Sequence, residues 1–287
     1  NIIDFNDGVG WLDFGVNPIV LDLNGDGVEI VTGEPVFFDV DQDGFREQTT
    51  WAAATDGFLV IDLNADGTRG AGDGEIELSE ELVLSLWGNE GDTDLQALGR
   101  AFDEQSFGVE GWGVLDSEDS VWSELRIWQD SNQNGETDDG ELRTLAQWGI
   151  SSINLFYDGV SGTAAADYDA SFSDTSDDVN VSGNSLLGAA SFVMNGATVA
   201  GGVGDLALSY NANGWRRVEI DGGFAIEFES GVTQRFLEIG GSDSANVDIY
   251  DENLDGAYGD DRGNLISAGG SLRNLQISGA AGDDTLL

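Results

Sequence analysis

The chain has 287 residues and a formal net charge of -45, from 55 acidic and 10 basic residues, all of them Arg, and it contains no Cys and no His. Disulfides, thiol and His-triad catalysis, Schiff-base lysines and zinc sites built from His or Cys are therefore excluded. No basic stripe exists to meet nucleic acid, and no apolar run is long enough to form a transmembrane segment.

In chain order, residues 1–16 form an upstream segment, and the opening Asn1-Ile2-Ile3-Asp4 reads as a cut from a longer polypeptide. Ile19-Val20-Leu21, Val36-Phe37-Phe38 and Phe58-Leu59-Val60-Ile61 are short apolar runs rich in β-branched or aromatic residues, which predicts strands. Each leads into the same acidic pattern, D-x-[D/N]-x-[D/N]-G. It reads Asp22-Leu23-Asn24-Gly25-Asp26-Gly27, then Asp39-Val40-Asp41-Gln42-Asp43-Gly44, then Asp62-Leu63-Asn64-Ala65-Asp66-Gly67. It returns as Asp130-Ser131-Asn132-Gln133-Asn134-Gly135 and as Asp251-Glu252-Asn253-Leu254-Asp255-Gly256.

This pattern is the front half of an EF-hand-type calcium loop. Side-chain oxygens at positions 1, 3 and 5 converge on one ion, and the Gly at 6 lets the carbonyl at 7 join them. The position 7 carbonyls are those of Val28, Phe45, Thr68, Glu136 and Ala257. The loop at Asp130, Asn132 and Asn134 is the most complete, with Asp138 at position 9 and Glu141 at position 12. The loop at Asp62, Asn64 and Asp66 has Asp73 at position 12. The loop at Asp39, Asp41 and Asp43 has Glu47 at position 9. The loop at Asp22, Asn24 and Asp26 has Gly33 at position 12, so its last ligand must come from elsewhere. Asp116 and Asp119 read as positions 9 and 12 of a loop rebuilt around 108–113. The loop at Asp251, Asn253 and Asp255 has Arg262 where the closing carboxylate belongs. Several bound calcium ions are expected, with a chain that is loose without them, because mutual repulsion opposes compaction and a site of this kind exists only when folded. Loops of weak affinity suit the outside of a cell.

Helices are predicted over Glu77 to Trp87, over Leu95 to Phe102, from a Ser117 cap to about Trp128, and over Glu141 to Trp148 with Gly149 as the stop. Residues 158–185, rich in Gly, Ser, Ala, Thr and Asp, read as a linker or long loops. From 186 to 287 the chain reads as β, with Phe224, Ile226 and Phe228 alternating with polar neighbours. It ends in Gly279-Ala280-Ala281-Gly282-Asp283-Asp284-Thr285-Leu286-Leu287, close to the nonapeptide of calcium-binding β-rolls. The expected fold is an α+β calcium-loop module over 17–157, with EF-hand-like loops, followed by a mostly β domain leading into a β-roll.

The segment from Asn17 to Leu155 resembles the self-processing module of FrpC-like RTX proteins. The elements that carry the resemblance are Pro18-Ile19-Val20-Leu21-Asp22 through Gly27, Phe38-Asp39 through Phe45, Gly57-Phe58 through Asn64, Leu125-Arg126-Ile127-Trp128-Gln129-Asp130 and Leu145–Leu155. The resemblance implies type I secretion, folding in external calcium, and cleavage of an Asp-Pro bond at the front edge of the module. In that mechanism the Asp side chain attacks its own carbonyl, the proline nitrogen leaves, and a cyclic anhydride remains. Water opens the anhydride, or a lysine amine captures it as a cross-link. Here the junction is Asn17-Pro18, and an amide is a far poorer nucleophile than a carboxylate. Either Asn17 is an engineered replacement that keeps the precursor intact, or it is natural in a relic module or one that cleaves slowly through a succinimide. With no Lys in the chain, a cross-link needs an amine from a partner protein or an N-terminus. The alternative function is a non-catalytic, calcium-rigidified adhesion or ligand-binding module at the cell surface, which exposed Trp11, Trp51, Trp112 or Trp215 around a groove would favour.

Overall fold

The computed structural model describes residues 17–105, 112–157, 179–181, 184–220, 223–239, 246–249, 256–259, 265–268, 276–278 and 285–286. They divide into two compact units. The first takes in the chain up to 42 and from 48 to 211, the second 43–47 and everything from 212.

The first unit is built on one large sheet. Its strands in chain order are β1 (Ile19–Leu21), β2 (Ile30–Phe38), β3 (Arg46–Ala52), β4 (Gly57–Ile61), β5 (Val114–Asp116), β6 (Leu125–Trp128), β7 (Leu142–Thr144), β8 (Ile150–Asn154), β9 (Val179–Val181), β10 (Asn184–Met194) and β11 (Ala197–Ala207). The order across the sheet is β5-β8-β10-β11-β1-β4-β6-β7, with β9 also paired to β10, while β2 pairs with β3 apart from it. β1 is an inner strand, antiparallel to β4 on one edge and to β11 on the other. All three of its residues are buried, and so are all five of β4, because both faces of the sheet are covered.

One face carries Ile19, Leu21, Leu59, Ile61, Ile127 and Phe192 against the helix α2 (Asp94–Phe102), through Leu95, Leu98 and Phe102. The other carries Val20, Phe58, Val60, Trp128 and Leu206 against Val36, Phe38 and Trp51 of the β2–β3 pair. There Phe38, Trp51, Phe58 and Trp128 form an aromatic cluster, with Trp51 edge-on to Phe58 at 4.6 Å and to Trp128 at 5.5 Å between centroids. α2 starts where the sequence says it should. Thr93 caps it, accepting from the Gln96 N–H, while the Gln96 side chain takes the Thr93 N–H at 2.8 Å.

In the second unit β12 (Tyr210–Ile220), β13 (Gly223–Phe228) and β14 (Thr233–Ile239) follow one another antiparallel, and the pairing then turns parallel. β16 (Gly256–Gly259) and β18 (Gln276–Ser278) continue β14, while β15 (Asn246–Ile249), β17 (Leu265–Ala268) and β19 (Thr285–Leu286) form a separate parallel sheet.

The expected α+β, EF-hand-like architecture is corrected by these elements. The protein is mostly β, and among the described residues its α-helices are α1 (Ser79–Leu82), α2 and α3 (Leu145–Trp148), the longest of nine residues. The Asp130 loop joins β6 to β7 as a hairpin loop, and no helix flanks it on either side. The helix predicted from Ser117 to Trp128 is a single 3-10 turn over Ser120–Ser123 followed by β6. Glu141 to Trp148 is β7 and then α3, with Gly149 in the left-handed conformation at φ 73° as its stop. In β6 Leu125 and Ile127 are buried while Arg126 between them is only half-buried, the period of a strand. No β-roll is shown among the described residues, and of the terminal nonapeptide only Thr285–Leu286 is described. β10 and β11, inside the region expected to form a separate β domain, are inner strands of the first unit's sheet.

Candidate functional site

Asn17 and Pro18 stand at the head of β1 and are both buried, Asn17 with 8% of its surface exposed. The Pro18 carbonyl accepts the Leu206 N–H at 3.2 Å, which extends the β1–β11 ladder by one residue beyond Ile19. The Asn17 side-chain oxygen Oδ1 is buried without a hydrogen-bond partner. An orphaned polar atom at such a place is unfavourable by about 1–3 kcal/mol.

Asp205 of β11 lies opposite Ile19 and, across its other edge, opposite Gly188 of β10. It is fully buried, as is Asp94 at the first turn of α2. Asp205 Oδ2 accepts from the Tyr157 hydroxyl at 3.2 Å and from the Leu95 N–H at 3.3 Å, while Oδ1 has no partner. Asp94 is held by the Leu84 and Ser85 N–H groups at 2.8 and 2.6 Å. A Cβ on Gly188 would lie 2.1 Å from the Tyr157 ring, so glycine there makes room for the tyrosine. Burial pushes both carboxyls upward, and the charge of Asp205 raises Asp94 further; hydrogen bonds from Thr93, Leu95 and Tyr157 offset part of the rise of Asp205, which is moved to about 6. Burial also raises the Tyr157 hydroxyl.

The acidic loops sit at strand ends around this sheet. Asp22 accepts N–H groups from Asn24, Gly25 and Gly27 at 3.2, 2.7 and 2.9 Å, and Asn24 accepts that of Asp26. The ligand missing at position 12 has a candidate in Asp56, from the turn before β4. Oxygens of Asp22, Asp26 and Asp56 lie within 4.8 Å of one another. Asp56 is 1% exposed, its Oδ2 takes the Glu29 N–H at 2.7 Å, and its Oδ1 has no partner. Burial, then the nearby Asp22, lifts it to about 7. Val28 lies just beyond, half-buried.

In the next loop Asp39 and Asp41 belong to the first unit and Asp43, Phe45 and Glu47 to the second. Asp43 accepts the Phe45 N–H at 2.8 Å, and Glu47 is buried. In the Asp62 loop, oxygens of Asp62, Asp73 and Glu81 lie within 4.8 Å of one another. Glu81, from α1, is buried and takes the N–H groups of Leu63, Glu77 and Leu78 at 2.8–2.9 Å; burial raises it. Asn64 and Thr68 close the turn backbone to backbone. Thr68 donates twice to the exposed Asp66, which lowers that carboxyl, and Arg126 reaches Asp62 at 3.4 Å.

The Asp130 loop draws its whole set together. Asp130 takes the Asn134 and Gly135 N–H groups and the Trp51 indole N–H at 2.8 Å. Asn132 and Asn134 both donate to Asp138, and Glu141 accepts from Ser131 and from the Asp138 N–H. Asn134 Oδ1 accepts the Glu136 N–H. Burial raises Asp130. Gly135 has φ 72°, and a Cβ there would lie 2.5 Å from the Phe37 carbonyl oxygen. Gly135→Ala is accordingly expected to lower stability by about 1–3 kcal/mol, read from urea unfolding in saturating calcium.

Asp119 is buried and takes the Glu104 and Asp116 N–H groups at 2.9 Å, close enough to Asp103 to feel its charge. Asp251, Asn253 and Asp255 lie outside the described residues, and Ala257 falls in β16. Three of these donor sets fit a hard divalent cation: they are all oxygen, they concentrate desolvated carboxylates, and one holds an orphaned buried oxygen on Asp56.

Sequence reasoning missed Asp56, Glu81, Asp94 and Asp205, none of which stands in the repeated motif. A lone Asp within Val203-Gly204-Asp205-Leu206-Ala207-Leu208 is the one available signal, since an unpaired acid in an apolar strand is rare. Of the tryptophans offered as adhesion anchors, Trp51 is 1% exposed, and Trp112 packs against the core. Among the described residues no helix is long and apolar enough to cross a membrane.

Comparison with known proteins gives the first unit a family. The SPM domain family matches residues 19–186, beginning at the first residue of β1. The chain is 34% identical over 148 residues to the iron-regulated protein FrpA of Neisseria meningitidis serogroup C, a stretch covering 50% of this chain and 12% of that protein. The FrpA-like, FrpC-like resemblance of the module is thereby supported, and the match, which covers more than half of the chain, makes it a member of the SPM domain family.

Proposed function

We propose that this chain carries a calcium-dependent self-processing module of a secreted RTX-type protein, acting on the bond between residues 17 and 18. The observation that carries the reading is the burial of Asn17-Pro18 at the head of an inner strand, with the side-chain oxygen of residue 17 left without a partner. An Asp at 17 would hold its carboxylate beside its own carbonyl at a high effective concentration. Its attack closes a five-membered cyclic anhydride and expels the nitrogen of Pro18, whose tertiary amide twists more readily than an ordinary peptide. Water then opens the anhydride, or a lysine amine from a partner protein captures it. Asn17 holds the bond intact in this chain.

Asp22, Asn24, Asp26 and Asp56 would hold one calcium ion, Asp62, Asp73 and Glu81 another, and the Asp130–Glu141 loop a third. Bound calcium supplies positive charge that lets these carboxylates stay close, and so ties folding to its presence. Export to the outside of the cell fits that dependence. The burial of Trp51 weakens the adhesion reading.

The test is Asn17→Asp, purified in chelator and then given millimolar calcium, with fragments weighed by mass spectrometry. A break between residues 17 and 18, absent from the Asn17 chain, is the expected result. A chain that folds on calcium and stays whole overturns the reading.

A further inference from the structure

We infer that Asp205, in the buried pocket it shares with Asp94 and Tyr157, is the acid that protonates the nitrogen of Pro18 as the bond breaks. The inference rests on the self-processing reading and supplies the proton donor that reading needs. Three geometric facts point to Asp205. It faces Ile19 in a pair lying between the two backbone-bonded pairs Pro18–Leu206 and Val20–Gly204, the arrangement in which opposing side chains approach most closely. The residue before a proline favours extended backbone, so residue 17 falls on the same face as Ile19 and Asp205. Asp205 Oδ1 and Asn17 Oδ1 are both buried and both without partners.

The surroundings keep a proton there. The titratable groups that face Asp205 are Asp94 from α2 and Tyr157 from the segment after β8; β10 offers only Gly188, and β1 offers Ile19. No cation is among them. Burial favours the neutral form of both carboxyls, so the pocket keeps a proton to higher pH than an exposed carboxyl pair would.

The step balances. The residue 17 carboxylate oxygen bonds to the residue 17 carbonyl carbon, and the C–N bond to Pro18 breaks with its electron pair going to nitrogen. That nitrogen takes the shared proton and becomes a neutral secondary amine. The Asp94–Asp205 pair is left doubly ionised and is reprotonated from solvent. One water then opens the anhydride to two carboxyl groups.

The test is the first-order cleavage rate of the Asn17→Asp chain after mixing with calcium, measured against pH, with folding followed by near-ultraviolet circular dichroism. The rate should fall on the alkaline side as the shared proton is lost. Adding Asp205→Asn should slow cleavage about 100-fold or more and remove that alkaline limb, with Asp205→Glu restoring part of the rate. Tyr157→Phe deletes a hydrogen bond that favours the ionised Asp205, so it should move the limb to higher pH. This second variant carries the test should Asp205→Asn fail to fold. A folded Asp205→Asn chain that cleaves at the parent rate with the parent pH profile, or a Tyr157→Phe limb that stays in place, overturns the inference and leaves self-processing standing. No cleavage in the folded Asn17→Asp chain overturns both.

Discussion

Trp51→Ala is expected to lower stability by about 3–5 kcal/mol, the range for deleting a large buried aromatic side chain. Trp51 is 1% exposed and touches Phe38, Phe58 and Trp128, so its removal opens a void bounded by rings that cannot all move inward. The same change also removes the indole N–H that Asp130 accepts at 2.8 Å. A core substitution should therefore weaken the candidate ion site at Asp130, because that carboxylate is oriented by the core. Trp51→Phe separates the two effects: it keeps most of the packing and loses the N–H. Urea unfolding at limiting and at saturating calcium should show a gain on calcium addition that is smaller for both variants than for the parent. Equal gains in all three would mean that the indole contributes nothing to ion binding.

The second expected result concerns pH. Asp205 in the folded chain is raised from 3.8 to about 6, whereas in the unfolded chain it has its ordinary value. Between these values the folded state binds more protons than the unfolded one, so stability falls as pH rises. The contribution of Asp205 is fully present below about pH 4 and is lost as pH passes through about 6. Asp94, raised by burial and by Asp205, acts in the same direction. Self-repulsion at a charge of -45 does so too, so the slope of the parent alone is not diagnostic. Asp205→Asn isolates the pocket. It should flatten unfolding free energy against pH between 4 and 7, measured in saturating calcium beside the parent, and make the variant the more stable protein at pH 7. Parallel curves for the two chains would remove the pocket as the cause.

Much of the first unit was legible because its signals are local. Ile19-Val20-Leu21 and Phe58–Ile61 are apolar on every residue, as a strand buried on both faces requires, and the helix predicted over Leu95 to Phe102 is α2. The acidic turns were legible as far as their own residues go, since position 1, 3, 5 and glycine spacing is a statement about one turn. What surrounds them was not. An acidic loop with Glu at position 12 suggested flanking helices, yet the Asp130 loop spans two strands, because the buried Leu125 and Ile127 alternate with Arg126 and pair with β4. Asp56 and Glu81 enter the candidate ion sites from neighbouring turns and helices that the fold brings close. Asp205 comes opposite Ile19 only through the β1–β11 pairing, between residues near opposite ends of the first unit. Contacts of that range leave almost no trace in a single sequence.

That pairing also sets an order of events. Residues 17 and 18 come early in the chain, while β11 comes near the end of the first unit. Until β11 arrives, β1 has one open edge and the junction is wet, without the carboxyl pocket beside it. Residues 17 and 18 are thus enclosed last although they stand almost first, and a chain cut short before Asp205 would carry them without the strand that covers them.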